Sequence, residues 1–208
     1  MLAINNVSKT LKGKTVLKSI DLTIETGEFV LLKGHNGSGK TMLLRMLAGL
    51  IAPDEGSVEV GENTTFGVII ENPSFLLSET ALYNLKFLAS INRVIGEEEI
   101  LHLLKRLHLY EERNKRVKTF SLGMKQRLAL VQAMMEEPDV LLLDEPFNAI
   151  DDDNLEIIYE MLGDYQRSGK TVVIASHGDY RDKCPFTRVV TMSDGRIKGE
   201  ERIPLRNG

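Results

Sequence analysis

The reading of the fold turns on Phe29-Val30-Leu31-Leu32-Lys33-Gly34-His35-Asn36-Gly37-Ser38-Gly39-Lys40-Thr41, followed by Met42-Leu43-Leu44-Arg45-Met46-Leu47-Ala48-Gly49-Leu50. The first five residues are a short, nearly unbroken apolar run, as expected of a parallel strand buried on both faces. From Thr41 the spacing becomes helical and stops at Gly49. Between strand and helix, Gly34 to Thr41 fits G-x-x-x-x-G-K-[ST], and that context marks the pattern as a phosphate-binding P-loop. Gly37 and Gly39 let backbone N–H groups wrap phosphates without a Cβ in the way. The helix N-terminus adds its dipole. Lys40 reaches the β and γ phosphates, and Thr41 offers a hydroxyl to Mg²⁺. The nucleotide-binding candidates here are Gly34, His35, Asn36, Gly37, Ser38, Gly39, Lys40 and Thr41, with His35 in a variable, exposed position.

About a hundred residues on, Val140-Leu141-Leu142-Leu143-Asp144-Glu145-Pro146 ends four apolar residues in two carboxylates. A buried parallel strand delivers its polar residues at its carboxyl end, where ligands sit in open α/β sheets. Asp144 is placed to hold Mg²⁺ and Glu145 to polarise a water against the γ phosphate. Further out, strands are expected at Leu2 to Val7, Ser19 to Glu25, Ser57 to Val60, Thr64 to Ile70, Thr171 to Ser176 and Arg188 to Met192. Helices are expected at Thr80 to Ala89, Glu97 to Leu107, Ser121 to Glu136 and Asn154 to Arg167. The tail from Gly199 is short, charged and reads as peripheral. The fold class is α/β: a P-loop NTPase (RecA-like) core with a mixed sheet, a small N-terminal antiparallel β part, and an inserted helical subdomain. One domain covers 1–208, with 1–72 and 138–208 as nucleotide-binding core and 73–137 as the helical insertion.

Composition removes other classes. Lys plus Arg number 26 against 30 Asp plus Glu, a net charge of −4, so no global basic field draws nucleic acid or anionic lipid. The one cysteine, Cys184, excludes an intrachain disulfide framework and fits a reducing compartment. Nothing approaches ~18 uninterrupted apolar residues, so no transmembrane helix is expected, and the start lacks a signal-peptide core. His102 and His108 have no partners at metal spacing. Among Leu76, Leu77, Leu82, Tyr83, Leu85, Phe87 and Leu88, part is core and part is open to a partner.

Ser121-Leu122-Gly123-Met124-Lys125-Gln126-Arg127 resembles the signature of ATP-binding cassette (ABC) proteins, usually L-S-G-G-Q. Ser121 and Gly123 are retained; the first glycine and the glutamine are replaced by Leu122 and Met124. Asn148-Ala149-Ile150-Asp151 is similar to the family's D-loop, and Ser176-His177 to its switch histidine. The resemblance spans Leu2 to about Lys198. It implies an ATPase using ATP and Mg²⁺, with Glu145, His177 and Lys40 catalytic and Thr41, Glu71 and Asp144 on the metal. It also implies that Ser121, Leu122, Gly123, Met124 and Lys125 complete the site of a second copy, with Asp151 speaking across that dimer.

Two positions depart from the family pattern. Nucleotide contacts are implied at Thr10, Leu11 and Val16, yet Leu11 stands where an adenine-stacking aromatic is usual, which leaves ATP against GTP open. Gly67-Val68-Ile69-Ile70-Glu71-Asn72-Pro73 has Glu71 where glutamine is usual, and a carboxylate cannot donate to a phosphate. Together with the signature, that stretch is similar to the ATPases of lantibiotic-protection and bacitracin-type exporters. The implied role is a homodimeric ATPase, peripheral on the cytoplasmic face, powering separate membrane-spanning permease subunits for peptide, antibiotic or other small cargo, with no nucleic acid partner. A haem-exporter ATPase and a soluble ABC ATPase acting on ribosomes or DNA are the alternatives.

Overall fold

The computed structural model of the chain describes residues 1–71 and 74–204; Asn72, Pro73 and 205–208 lie outside the described residues. The order of elements is β1 (Leu2–Leu11), β2 (Lys14–Ile24), β3 (Phe29–Lys33), α1 (Lys40–Leu47), β4 (Glu55–Val60), β5 (Phe66–Ile69), α2 (Ala81–Asn92), α3 (Glu97–Arg106), a 3₁₀ turn (Val117–Thr119), α4 (Leu122–Met134), β6 (Val140–Asp144), α5 (Asp152–Arg167), β7 (Thr171–Ser176), β8 (Arg188–Ser193) and β9 (Arg196–Arg202). The strands form two sheets. One is antiparallel, in the order β2-β1-β4; the other is mixed, in the order β5-β6-β7-β3-β8-β9. In the mixed sheet only the β8–β9 pairing is antiparallel.

The unbroken apolar runs acquire their meaning in this sheet. Phe29, Leu31, Leu141, Leu143, Val172 and Ile174 enter a core shared with α2 to α5. Val30, Leu32, Val140, Leu142, Val173 and Ala175 enter a second core with α1 and the antiparallel sheet. Both faces are thus covered, as a parallel sheet requires. The carboxyl ends of β3, β6 and β7 then open side by side, since Lys33 pairs with Ser176 and Asp144 with Ala175.

Two expectations are corrected. The first strand runs on through Leu11 and turns at Gly13 (φ 77°) into β2, which starts at Lys14. Its register shifts near Asn6 and Ser19, both at φ 48°, are bulges that interrupt the in–out alternation. The charged tail is not peripheral up to Arg202: Arg196–Arg202 is the edge strand β9. Arg188 fixes it, donating to the Thr23 carbonyl at 2.7 Å and pairing with Glu28 at 3.3 Å and with Glu200 of β9. A guanidinium this buried is stable only with such partners.

Candidate active site

The P-loop lies between the end of β3 and α1. Gly37 (φ 81°) and Gly39 (φ 109°) hold conformations that a side chain resists. A Cβ at Gly34 would come within 2.4 Å of the Met192 carbonyl, so the loop also needs glycine for space. Val16 backs the loop: its carbonyl is 3.2 Å from where a Gly39 Cβ would stand. Lys40 is buried, and its ammonium donates to the Gly34 carbonyl at 2.7 Å and the His35 carbonyl at 3.3 Å. Ser38 is fully buried and its hydroxyl has no hydrogen-bond partner. His35 and Asn36 are exposed, with the His35 ring Nδ1 2.9 Å from the Asn36 carbonyl. Leu11, half-exposed, sits at the β1–β2 hairpin, where the Thr10 N–H donates to Asp54 at 2.7 Å.

The carboxylates stand beside this loop. The Thr41 hydroxyl donates to Asp144 Oδ2 at 2.6 Å. Burial pushes the Asp144 carboxyl above its ordinary value; the Thr41 hydrogen bond and Lys40 oppose this, and the negative charges of Glu145 and Glu71 add to it. Glu145 has φ 46°, a left-handed conformation costing about 1–3 kcal/mol in a non-glycine residue. Its carboxylate is held from one side: the Ser176 hydroxyl donates to Oε2 at 2.8 Å and the His177 N–H to Oε1 at 2.9 Å. The His177 ring Nδ1 lies 2.7 Å from Oε1, so the ring proton is expected on that nitrogen. Glu71, at φ 63°, is exposed and pairs with Arg45 of α1 at 2.6 Å.

This donor set suits Mg²⁺. Thr41, Asp144 and Glu71 offer only hard oxygen atoms, and among the described residues no cluster of three or more His, Cys, Asp or Glu makes a metal cage. Mg²⁺ is commonly held by one or two carboxylates and completed by substrate phosphates and water.

The signature begins α4. Ser121 is its N-cap, accepting from the Met124 N–H at 3.2 Å. Leu122 is exposed, while Met124 packs partly against the helical core. Gly123 is pressed on the D-loop: a Cβ there would come within 2.4 Å of the Ala149 carbonyl. Asp151 caps α5 through the Asn154 N–H, which holds its carboxyl below the ordinary value.

Three residues given no role in the sequence enter the geometry. Ser176 steadies Glu145, Arg45 pairs with Glu71, and the Gln126 amide donates to the Pro146 and Glu145 carbonyls at 3.3 and 3.4 Å. Gln126 stood inside the quoted signature, but its partners lie some twenty residues away and carry no pattern of their own.

Comparison with known proteins identifies the family. The ABC transporter family profile matches residues 17–148. An uncharacterised ABC transporter ATP-binding protein of Bacillus subtilis strain 168 is 40% identical over 98% of this chain and 97% of its own. A lantibiotic transport ATP-binding protein of Streptococcus pyogenes is 33% identical over 85% of this chain and 80% of its own. A bacitracin transport ATP-binding protein of Enterococcus faecalis is 34% identical over 83% of this chain and 59% of its own. Among solved structures, a dimeric ATP-binding cassette in a post-hydrolysis state with ADP and Pi has a TM-score of 0.88 at 28% identity, covering 97% of this chain and 98% of that one. The chain therefore belongs to the ABC transporter family, as an ATP-binding, ATP-hydrolysing cassette.

Proposed function

We propose that the cassette works as a pair of copies on the inner face of a membrane, powering separate permease subunits that export peptide antibiotics or similar small cargo. The observation that carries the exporter reading is an apolar surface on the helical segment. Leu76, Leu77, Tyr83, Phe87 and Ile91 are 48–65% exposed, and Tyr83, Phe87 and Ile91 recur every fourth residue along α2. Such a contiguous surface suits a protein partner better than water. No helix among the described residues is long and apolar enough to cross a membrane; in this reading that part falls to separate permease subunits. Relatives named as lantibiotic and bacitracin transport ATP-binding proteins support this cargo class.

Within the site, the P-loop amides and Lys40 bind the β and γ phosphates. Thr41, Asp144 and Glu71 would hold Mg²⁺, which supplies positive charge to the phosphate oxygens. Glu145 takes the proton of the attacking water as its oxygen bonds to the γ phosphorus and ADP leaves. Ser176 and His177 hold Glu145 in that orientation, and His177 also faces the γ phosphate. Ser121 to Lys125 and Asp151 complete the second copy's site.

Deleting the gene tests the export role. The strain should become several-fold more sensitive to a lantibiotic or to bacitracin, and tagged protein should sediment with membranes. Unchanged sensitivity across such a panel, with the protein absent from membranes, overturns the reading.

A further inference from the structure

Arg45 lies four residues after Thr41 on α1, one helical turn further along the same face. Its guanidinium is 2.6 Å from the Glu71 carboxylate. Glu71 follows β5 as Glu145 follows β6: Ile69 and Leu143 are paired in register, and each acidic residue stands two positions beyond. Glu71 is near enough to Asp144 for its charge to act on that carboxyl. Asp144, Glu145 and Glu71 thus stand at the carboxyl ends of β6 and β5, with Lys40 and Arg45 of α1 as neighbouring cations.

A carboxylate in this position has opposed effects. It attracts a divalent cation and repels the phosphates that the cation accompanies. A neighbouring cation cancels the repulsion. The pair must also part easily if the carboxylate is to turn to a metal, and this one can: the side chains of Arg45 and Glu71 are 30% and 62% exposed, and exposed ion pairs hold weakly. The left-handed backbone at Glu71, two residues past the end of β5, accompanies a side chain set against Arg45 of α1.

We propose that Arg45 is the built-in counter-ion of Glu71, and that this pair sets how strongly nucleotide binding depends on Mg²⁺. The inference rests on the reading of Glu71 as a metal-facing group. Arg45 is a positioning residue here, acting through Glu71 rather than on the reacting atoms.

The test is the affinity of a fluorescent ATP analogue, measured with EDTA and with excess Mg²⁺, for wild type, Arg45→Met, Glu71→Gln and the double variant. Arg45→Met should weaken binding in EDTA about three- to tenfold, the effect of one screened unit charge several Å away. It should leave binding in Mg²⁺ within about twofold. Glu71→Gln should tighten binding in EDTA, and the double variant, which has neither charge, should bind within about twofold of wild type. Equal weakening with and without metal overturns the counter-ion role, as does a double variant that binds in EDTA as weakly as Arg45→Met alone. If Arg45→Met fails to fold, Glu71→Gln decides alone: tighter binding in EDTA supports the pair, and unchanged binding overturns it. A wild type that binds nucleotide with no response to Mg²⁺ overturns the metal-site reading itself and this inference with it.

Discussion

Lys40 turns its ammonium into the phosphate loop, and its two carbonyl partners keep it there. Lys40→Ala should weaken ATP binding about a hundredfold, the loss of two charge-assisted hydrogen bonds. Calorimetry with a non-hydrolysable analogue reads this, and unchanged affinity would mean that the glycine loop is not the phosphate cradle. Glu145→Gln should leave affinity nearly intact and cut turnover by about 10²–10⁴-fold. The amide oxygen can still accept from His177, and the Ser176 hydroxyl can accept from the new amide, so the loop keeps its shape. A phosphate-release assay beside a binding titration separates the two effects, and normal turnover would remove Glu145 from the role of base. Lys40, Asp144 and Glu145 were legible in the sequence because each sits at a fixed offset from a buried strand. The Arg45–Glu71 pair was not, because β4 and β5 lie between residues 45 and 71 and no local pattern dictates that the two meet.

At the scale of elements, what the sequence disclosed tracks burial. β3, β6 and β7 are buried along nearly their whole length and stood out as apolar runs. β9 has scarcely a buried position, so an alternating signal never arises, and its charges read as a tail. β1 and β2 hide their length behind bulges for the same reason. Packing of helix on strand offers a sharper test. Gly67 of β5 lies against α4, where a Cβ would fall 1.9 Å from the Ala133 carbonyl. Gly67→Ala must push α4 from the sheet, at a cost of about 1–3 kcal/mol. Thermal unfolding should drop by roughly 2–12 °C for a chain of this length. A midpoint within a degree of wild type would show that the helix yields freely.

For the whole molecule, the signature and the D-loop meet through Gly123 and Ala149, so the surfaces assigned to a second copy are packed against each other. In the Glu145→Gln background, ATP should double the mass seen by light scattering after gel filtration. Leu122→Glu, a change at a side chain already 61% exposed, should keep the fold and abolish the doubling. A mass that doubles regardless would place the interface elsewhere. The outer strand β9 bears on the same question from the opposite side. Arg196, Lys198, Glu200, Glu201 and Arg202 set both signs of charge along the open margin of the mixed sheet. Margins of this kind resist the addition of a foreign strand. Fibrous stacking of copies through this edge is therefore disfavoured.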